Sequence, residues 1–269
     1  MPEPSKAVLI TGCSSGIGRA TAARLAGAGW TVYASARRPE SLVELADAGC
    51  RTLALDVTDE GSMRAAVEHV EQECGAVGVL INNAGYSQSG AMETIPPEVV
   101  RDQFETNVFG PVRLIQLVLP KMRAQRWGKI VNVGSMGGRL TFPGGGYYHA
   151  TKHALEALSD ALRFEVAGFG IDVILLEPGL ITTEFGNAAA ASMAHAGARD
   201  GQDPYAKFNA TVGAVTQGAY EGPMRRLGGP PERVARAIER ALRRRRAPTR
   251  VVITPSAKIT IALRRVLSD

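Results

Sequence analysis

The sequence predicts an α/β fold in which one doubly wound parallel sheet of about seven strands carries helices on both faces. Three observations predict it. Short apolar runs alternate with segments whose apolar residues recur at helical spacing, the pattern of strands joined by helical crossovers. Several runs are continuously hydrophobic, as strands buried on both faces are. The 269 residues, 45% hydrophobic and 21% charged, suffice for one large core and read as a single domain over 1–269.

The strand-like runs are 7–10, 31–35, 52–55, 77–81, 129–133, 172–176 and 250–253. Helical segments lie between them. Segment 16–28 follows the first strand, and 60–74 carries Met63, Val67 and Val70 on one stripe. Pro97 opens a long helix reaching about residue 123, a position that suits proline. Leu155, Leu158 and Leu162 mark 148–169, and Val234, Ile238, Ala241 and Leu242 mark 231–244. No repeat of 20–50 residues is present. Segment 185–229 has no clear period and holds Gly186, Gly197, Gly201, Gly213 and Gly218. Long irregular stretches in compact domains are commonly lids, so it is read as a lid over the ligand side of the sheet. Residues 230–269 are read as a basic C-terminal helix, a last strand and a tail.

Net charge is +5, unevenly spread. Residues 225–269 hold 13 Lys/Arg against three acids, a net of +10, which leaves −5 for the rest. The run Arg243-Arg244-Arg245-Arg246 reads first as a solvated helix end, where cations are favourable. The second reading is contact with an anionic membrane or a nucleic acid. Aromatics do not interleave with the arginines, which argues against single-strand binding. The expectation is no nucleic-acid partner, with peripheral membrane contact a minor alternative.

No charged leader runs into a long apolar stretch, and no apolar run approaches the roughly 18 residues that span a bilayer. Cys13, Cys50 and Cys74 are odd in number and lack metal or redox spacing, so no metal is expected. A reducing, cytoplasmic setting is the expectation.

After the first strand comes Thr11-Gly12-Cys13-Ser14-Ser15-Gly16-Ile17-Gly18. Glycine allows a tight turn and close approach of the backbone to a phosphate. The next helix begins there, and its free N–H groups and dipole favour an anion. The pattern differs in spacing from G-x-G-x-x-G, but its place between strand and helix marks a Rossmann-type dinucleotide turn. A carboxylate at the end of the second strand would hold the ribose 2′-hydroxyl of NAD. Here that end reads Ala34-Ser35-Ala36-Arg37-Arg38, with no acid before Glu40. Arginine suits phosphate geometry, so the expected cofactor is NADP(H), with Arg37 as its main 2′-phosphate contact. The third and fourth strands end in Asp56-Val57 and Asn82-Asn83-Ala84-Gly85, at the crevice of this architecture.

Tyr148 and Lys152 stand four residues apart, on one helical face. A nearby ammonium favours phenolate and brings a phenol of pKa about 10 toward acid/base use. Ser135, beyond the fifth strand, can donate to a substrate oxygen. Asn107, within the long fourth helix, is an amide able to hold water. Tyr147 is five residues before Lys152, off the shared face.

In their order and spacing, TGxxxGIG, NNAG, Asn107, Ser135, Tyr148-x-x-x-Lys152 and Pro178-Gly179 resemble the short-chain dehydrogenases/reductases. The resemblance covers about residues 6–253. It implies a hydride-transferring oxidoreductase acting on an alcohol or ketone with a small-molecule substrate. It implies that Tyr148 is the general acid/base, that Lys152 lowers its pKa and holds the nicotinamide ribose, that Ser135 polarises the carbonyl, and that Asn107 keeps a relay water. It further implies that Gly12, Ser14, Ser15, Gly16, Ile17 and Gly18 form the pyrophosphate turn, and that Asp56 and Val57 contact adenine. Asn83, Ala84 and Gly85 would lie near the adenosine ribose, and Pro178, Gly179, Ile181 and Thr183 near the carboxamide. A homodimer or homotetramer through the two long helices is implied as well.

Gly12-Cys13-Ser14-Ser15-Gly16, Asn83-Ala84-Gly85-Tyr86 and Phe164-Glu165 are similar to the branch containing 17-beta-hydroxysteroid and retinol dehydrogenases, which points to a lipophilic substrate. Met136, Leu140, Phe142 and Phe185, with Met193 and Phe208, are the residues expected to line its pocket, and His195 reads as a solvated loop histidine. Two alternatives keep the fold: a non-catalytic dinucleotide-sensing protein, and a lyase or epimerase using the cofactor transiently. A sensor has no chemical need for the Asn–Ser–Tyr–Lys set, and the second usually needs a larger C-terminal domain.

Overall fold

The computed structural model describes residues 3–186, 189, 192 and 204–267. Seven strands form the sheet: β1 (Val8–Ile10), β2 (Val32–Ala36), β3 (Arg51–Ala54), β4 (Val79–Asn82), β5 (Gly128–Val133), β6 (Ile171–Glu177) and β7 (Arg250–Val252). Every pairing is parallel, in the order β3-β2-β1-β4-β5-β6-β7. The anticipated α/β doubly wound sheet is therefore the observed fold, and each apolar run became a strand.

The helices are α1 (Gly16–Gly27), α2 (Val43–Asp47), α3 (Glu60–Cys74), α4 (Pro97–Phe104), α5 (Gly110–Ala124), α6 (Gly146–Val166), α7 (Ala206–Glu221), α8 (Pro231–Arg243) and α9 (Pro255–Val266). The sheet separates two cores because successive strand residues point to opposite faces. Val8 and Ile10 of β1 join Leu25 of α1 and Val234, Ile238 and Leu242 of α8. Leu9, between them, joins Met63, Val67 and Val70 of α3 and Leu114, Val118 and Met122 of α5. The stripes legible in 60–74 and 231–244 are these buried faces. β3 and β7, at the two edges of the sheet, are the strands whose residues stay partly open.

Three departures from the sequence reading bear on the site. The long fourth helix is broken: a π-helical turn at Glu105–Phe109 joins α4 to α5 and carries Asn107. Its wider ring adds one residue to the turn and rotates α5 relative to α4. Segment 185–229 is not irregular throughout, since α7 occupies its second half and a 3₁₀ turn, Pro223–Leu227, comes after it. α7 was hidden by its composition. Its stripe is made of Thr211, Val212, Val215, Thr216, Ala219 and Tyr220, mostly small or polar residues that carry little hydrophobic contrast. α9 lies beyond β7, where the reading expected a tail. It starts well, with Pro255 at its first position and Thr254 accepting from the Ala257 amide at 3.3 Å.

A buried polar chain crosses the sheet centre. Asn82 Nδ2 donates to Asn132 Oδ1, and Asn132 Nδ2 donates to Ser159 Oγ, both at 2.9 Å. All three residues are buried. Asn132→Ala leaves two buried groups without partners, so it should lower stability by about 2–4 kcal/mol. Denaturant melts check this; a change below about 0.5 kcal/mol, the scale of a neutral surface substitution, would show that the chain of bonds carries no stability.

Candidate active site

The strand order reverses between β1 and β4: β2 and β3 extend to one side, and β5, β6 and β7 to the other. The crossovers diverge there and open a crevice at the strand C-termini. A cavity of about 1410 Å³ occupies it, running from the turn after β1 to α7.

Its first end is built around Thr11, Gly12 and Asn83. Thr11 Oγ1 accepts from the backbone N–H groups of Asn83 and Ala84, each at 3.0 Å. Asn83 Nδ2 returns two bonds, to the carbonyls of Thr11 at 2.9 Å and Gly12 at 3.0 Å. Gly12 has φ +70°, and a Cβ there would lie 2.9 Å from Ala84 Cα, so the turn needs glycine on both counts. Gly12, Ser14, Ser15, Gly16 and Ile17 line the cavity beside the N-terminus of α1. Gly18 does not. A Cβ there would overlap the Gly12 carbonyl oxygen, so this glycine supports the turn from beneath rather than facing the cavity.

At the end of β2, Ala36 is buried and lines the cavity; Arg37 is exposed and lines it too. Arg37 has no ion pair among the described residues. Arg38 is exposed and lies off the cavity. Asp56 and Val57 lie on the wall, where Asp56 Oδ1 accepts from the amide and hydroxyl of Thr58 at 2.9 and 2.8 Å. Ala84, Gly85, Pro178, Gly179, Ile181 and Thr183 line the middle. The bare glycine turn and the helix N-terminus together fit a dinucleotide, and the Arg37 guanidinium stands beside them.

At the far end, the chain after β5 and the start of α6 bring Ser135, Tyr148 and Lys152 to one wall. Lys152 is buried, and its ammonium donates to the Val133 carbonyl at 2.8 Å, 5.7 Å from the centre of the Tyr148 ring. Burial pulls its pKa down to about 8. Tyr148 is packed against Phe185, with ring centres 5.4 Å apart. Burial raises its pKa well above the ordinary phenol value, and a hydrogen bond with Ser135 pulls weakly the other way. The expected lowering by Lys152 is therefore not the dominant effect. At 5.7 Å, with the ammonium bonded to a carbonyl, desolvation outweighs the charge. Ser135 Oγ also accepts from the Gly137 amide at 3.0 Å.

Asn107 is buried behind the wall rather than on it. Its Oδ1 accepts from Tyr86 N at 3.1 Å, and its Nδ2 donates to Tyr86 O at 2.9 Å and Thr151 Oγ1 at 3.2 Å. Both amide hydrogens are spent on protein groups, which leaves acceptor capacity on the oxygen. The π turn presents this side chain to the loop after β4 and to α6 at once. Tyr147 points elsewhere, with its hydroxyl 3.3 Å from the Met92 carbonyl.

Of the residues expected around the substrate, Met136, Phe142 and Phe185 line the cavity. Leu140 is not part of the lining. Phe208 is partly exposed on α7, outside the cavity lining. Met193 and His195 lie outside the described residues. Sequence reading missed Val212, Val215 and Tyr220 of α7, and Met224 after it, all of which line the cavity. The helical spacing 211/212, 215/216, 219/220 was their available signal.

Behind the Ser135 turn sits a second group that the sequence did not reveal. Glu156, one turn beyond Lys152, and Glu177, at the end of β6, are buried together. Arg250 Nε lies 3.1 Å from Glu156 and 3.4 Å from Glu177; Arg139 lies 3.4 and 3.7 Å from them. Burial and the neighbouring Glu156 carboxylate push Glu177 up to about 7 despite the two guanidiniums. Glu177 precedes Pro178, whose carbonyl accepts from Met136 N at 2.8 Å, so the pair braces both sides of the site. Among the described residues, no helix is long and apolar enough to cross a membrane, and no group of three or more His, Cys, Asp or Glu could hold a metal.

Comparisons with known proteins agree with this geometry. Residues 6–194 match the family model of the short chain dehydrogenases. A 3-ketodihydrosphingosine reductase of Bacteroides thetaiotaomicron is 44% identical over 178 residues, spanning 66% of this chain and 65% of that protein. A short-chain dehydrogenase structure from Streptomyces avermitilis superimposes with a TM-score of 0.81 at 37% identity, covering 96% of this chain and 92% of that one. Two further similar structures hold different cofactors. A serine dehydrogenase complexed with NADP+ matches at 27% identity and TM-score 0.77, covering 93% and 94%. A Burkholderia phymatum short chain dehydrogenase/reductase in complex with NAD matches at 26% and 0.81, covering 98% and 94%.

Glu177→Gln removes a titration that opposes folding as pH rises. The folded pKa, about 7, lies above the ordinary value of 4.5, so the stabilisation is present below 4.5 and is lost as pH climbs toward 7. The variant should therefore gain on the parent by about 1–2 kcal/mol between roughly pH 5 and pH 8. Melts across that window check it, and a pH-independent difference would overturn the assignment.

Proposed function

This chain belongs to the short chain dehydrogenase family and is an oxidoreductase of that family, and we propose that it uses NADP(H) to interconvert a lipophilic ketone and its alcohol. The observation that carries the reading is one continuous cavity with the glycine turn and Arg37 at one end and Ser135, Tyr148 and Lys152 at the other. The cofactor supplies the hydride that reduces the carbonyl carbon.

The residues divide the remaining work by chemistry. Ser135 donates a hydrogen bond to the carbonyl oxygen and polarises it. Tyr148 is protonated at neutral pH, as an ordinary phenol is, and burial makes it hold the proton more firmly, so it acts first as an acid. Its proton goes to the substrate oxygen as negative charge develops there. The ammonium of Lys152, 5.7 Å from the ring, stabilises the phenolate left behind. Oxidation of the alcohol runs the same steps in reverse. Asn107 acts through Tyr86 and Thr151 and is a positioning residue, holding the loop after β4 against α6.

The lipophilic substrate is supported by Phe142, Phe185, Val212, Val215 and Met224 on the cavity wall, together with the name of the sphingoid-ketone reductase this chain resembles. The lid reading of segment 185–229 is supported by α7, whose Val212, Val215 and Tyr220 line this end of the cavity. The homodimer or homotetramer through the two long helices is supported by exposed Phe109 beside α5 and by Leu158 and Phe164 on α6.

The NADP(H) preference rests on Ala36 and Arg37. Ala36 removes the carboxylate that would repel a 2′-phosphate, and Arg37 offers a charge-assisted hydrogen bond of about 1.5–3 kcal/mol. Arg37→Ala should weaken NADPH binding about tenfold to a hundredfold and leave NADH nearly unchanged. Ala36→Asp should reverse the preference. Titration of the three proteins with both cofactors decides it, and tighter NADH binding by the parent refutes the preference.

Tyr148→Phe should lower turnover by about a hundredfold or more while cofactor binding is retained. Steady-state rates on a panel of steroids, long-chain ketones and small ketones, with cofactor titration in parallel, measure both. Near-normal turnover in the variant would remove Tyr148 from the chemistry.

A further inference from the structure

The basic C-terminal segment separates into two parts in space. The run Arg243–Arg246 ends α8 at the N-terminal edge of the sheet, where the Arg244 carbonyl accepts from Lys129 at the start of β5 at 2.9 Å. It lies far from the cavity. α9 is at the opposite edge, and its inward side belongs to the site: Ser256 and Thr260 line the cavity, and Ser256 Oγ accepts from Leu180 N at 3.1 Å.

The outward side of α9 is apolar. Ile259, Leu263, Val266 and Leu267 are 48%, 47%, 78% and 60% exposed. Their spacing places them on one stripe, with Ala262 beside them. Lys258 and Arg265, seven residues apart, flank that stripe on one side. The neighbouring turn at Pro223–Leu227 adds Met224 at 52% and Leu227 at 37% exposure, with Arg225 and Arg226 between them. Residues 222–229 and 254–267 contain no Asp or Glu. Lys258, Arg265, Arg225 and Arg226 are all exposed, and none has an ion pair among the described residues. Met224 and the 68% exposed Val215 also line the cavity, so this surface borders its mouth.

A solvated helix end explains cations in a last turn, but not four large aliphatic side chains held open beside them. A second copy of this chain presenting the same face would bring like charges together. We propose that the outer face of α9 and the turn Pro223–Leu227 form a peripheral docking surface for an anionic lipid bilayer, with the cavity mouth facing the membrane. The aliphatic stripe enters the headgroup boundary, and the four cations meet lipid phosphates. Docking rests on this surface alone. Delivery of an apolar substrate from the bilayer rests on the redox reading above.

Sedimentation with vesicles tests docking apart from catalysis. The probes are phosphatidylcholine vesicles and phosphatidylcholine vesicles containing phosphatidylglycerol, each at low and high salt. The full chain should partition onto the anionic vesicles, less at high salt, and little onto the neutral ones. Lys258→Glu and Arg265→Glu should each reduce partitioning by about fivefold or more, and Leu263→Glu by a similar or larger factor. All three sites are exposed and outside the catalytic wall, so turnover of a water-soluble ketone should stay unchanged; this control separates loss of docking from loss of fold or chemistry. Three results overturn the proposal: no binding to either vesicle, equal binding to both, or a parent oligomer that Leu263→Glu dissociates without any vesicle binding. The last would assign the face to a contact between copies of this chain.

Discussion

The hydrogen-bonded tie between the ends of β1 and β4 is the constraint on which the site depends. Parallel strands joined by helices can wind in either direction from the centre, and here the winding reverses between these two strands. The reversal opens the crevice, but an open crevice at two strand ends exposes backbone groups that need partners. Thr11 and Asn83 supply them across the gap, through four bonds of 2.9–3.0 Å. Once these are made, Gly12 has room for nothing but hydrogen, and the turn into α1 takes the shape that leaves its N-terminus facing the cavity.

At the other end of the cavity, burial governs the electrostatics. The phenol of Tyr148 rises, the ammonium of Lys152 falls to about 8, and Glu177 rises to about 7. All three shifts favour the neutral form, as desolvation does. A site of this kind holds its proton on Tyr148 until negative charge develops nearby. The carboxyl pair behind the Ser135 turn obeys the same constraint: two guanidiniums face two carboxyls, and burial beside the Glu156 carboxylate favours the protonated form of Glu177.

The substrate end is built from the least regular part of the sequence. α7 and the turn after it close the cavity with small and aliphatic side chains, while α9 contributes its inner face to the wall and leaves an aliphatic, basic face outside. One short helix thereby connects the lining of the cavity to the chemistry of the outer surface.

Much of this was legible in the residues themselves. Continuous apolar runs made strands because a doubly covered sheet accepts little else, and the glycine turn after β1 could be placed because glycine alone satisfies its backbone and its contact with Ala84. Tyr148 and Lys152 share a face because the helix period fixes it. By contrast, the sequence is silent on distances between segments far apart in the chain. It placed Asn107 in an unbroken helix, whereas packing between the loop after β4 and α6 fixes it in a π turn with its amide bonded to Tyr86 and Thr151. It read a lowered phenol at Tyr148, whereas the depth of burial reverses the direction. It showed no sign of the Glu156–Glu177 pair, which joins α6 to the end of β6 across 21 residues, nor of the inner and outer faces of α9. Local spacing determines periodicity, turns and neighbours within one helix turn. Desolvation and contacts between distant segments exist only once the chain has packed, and those decided the chemistry of the site.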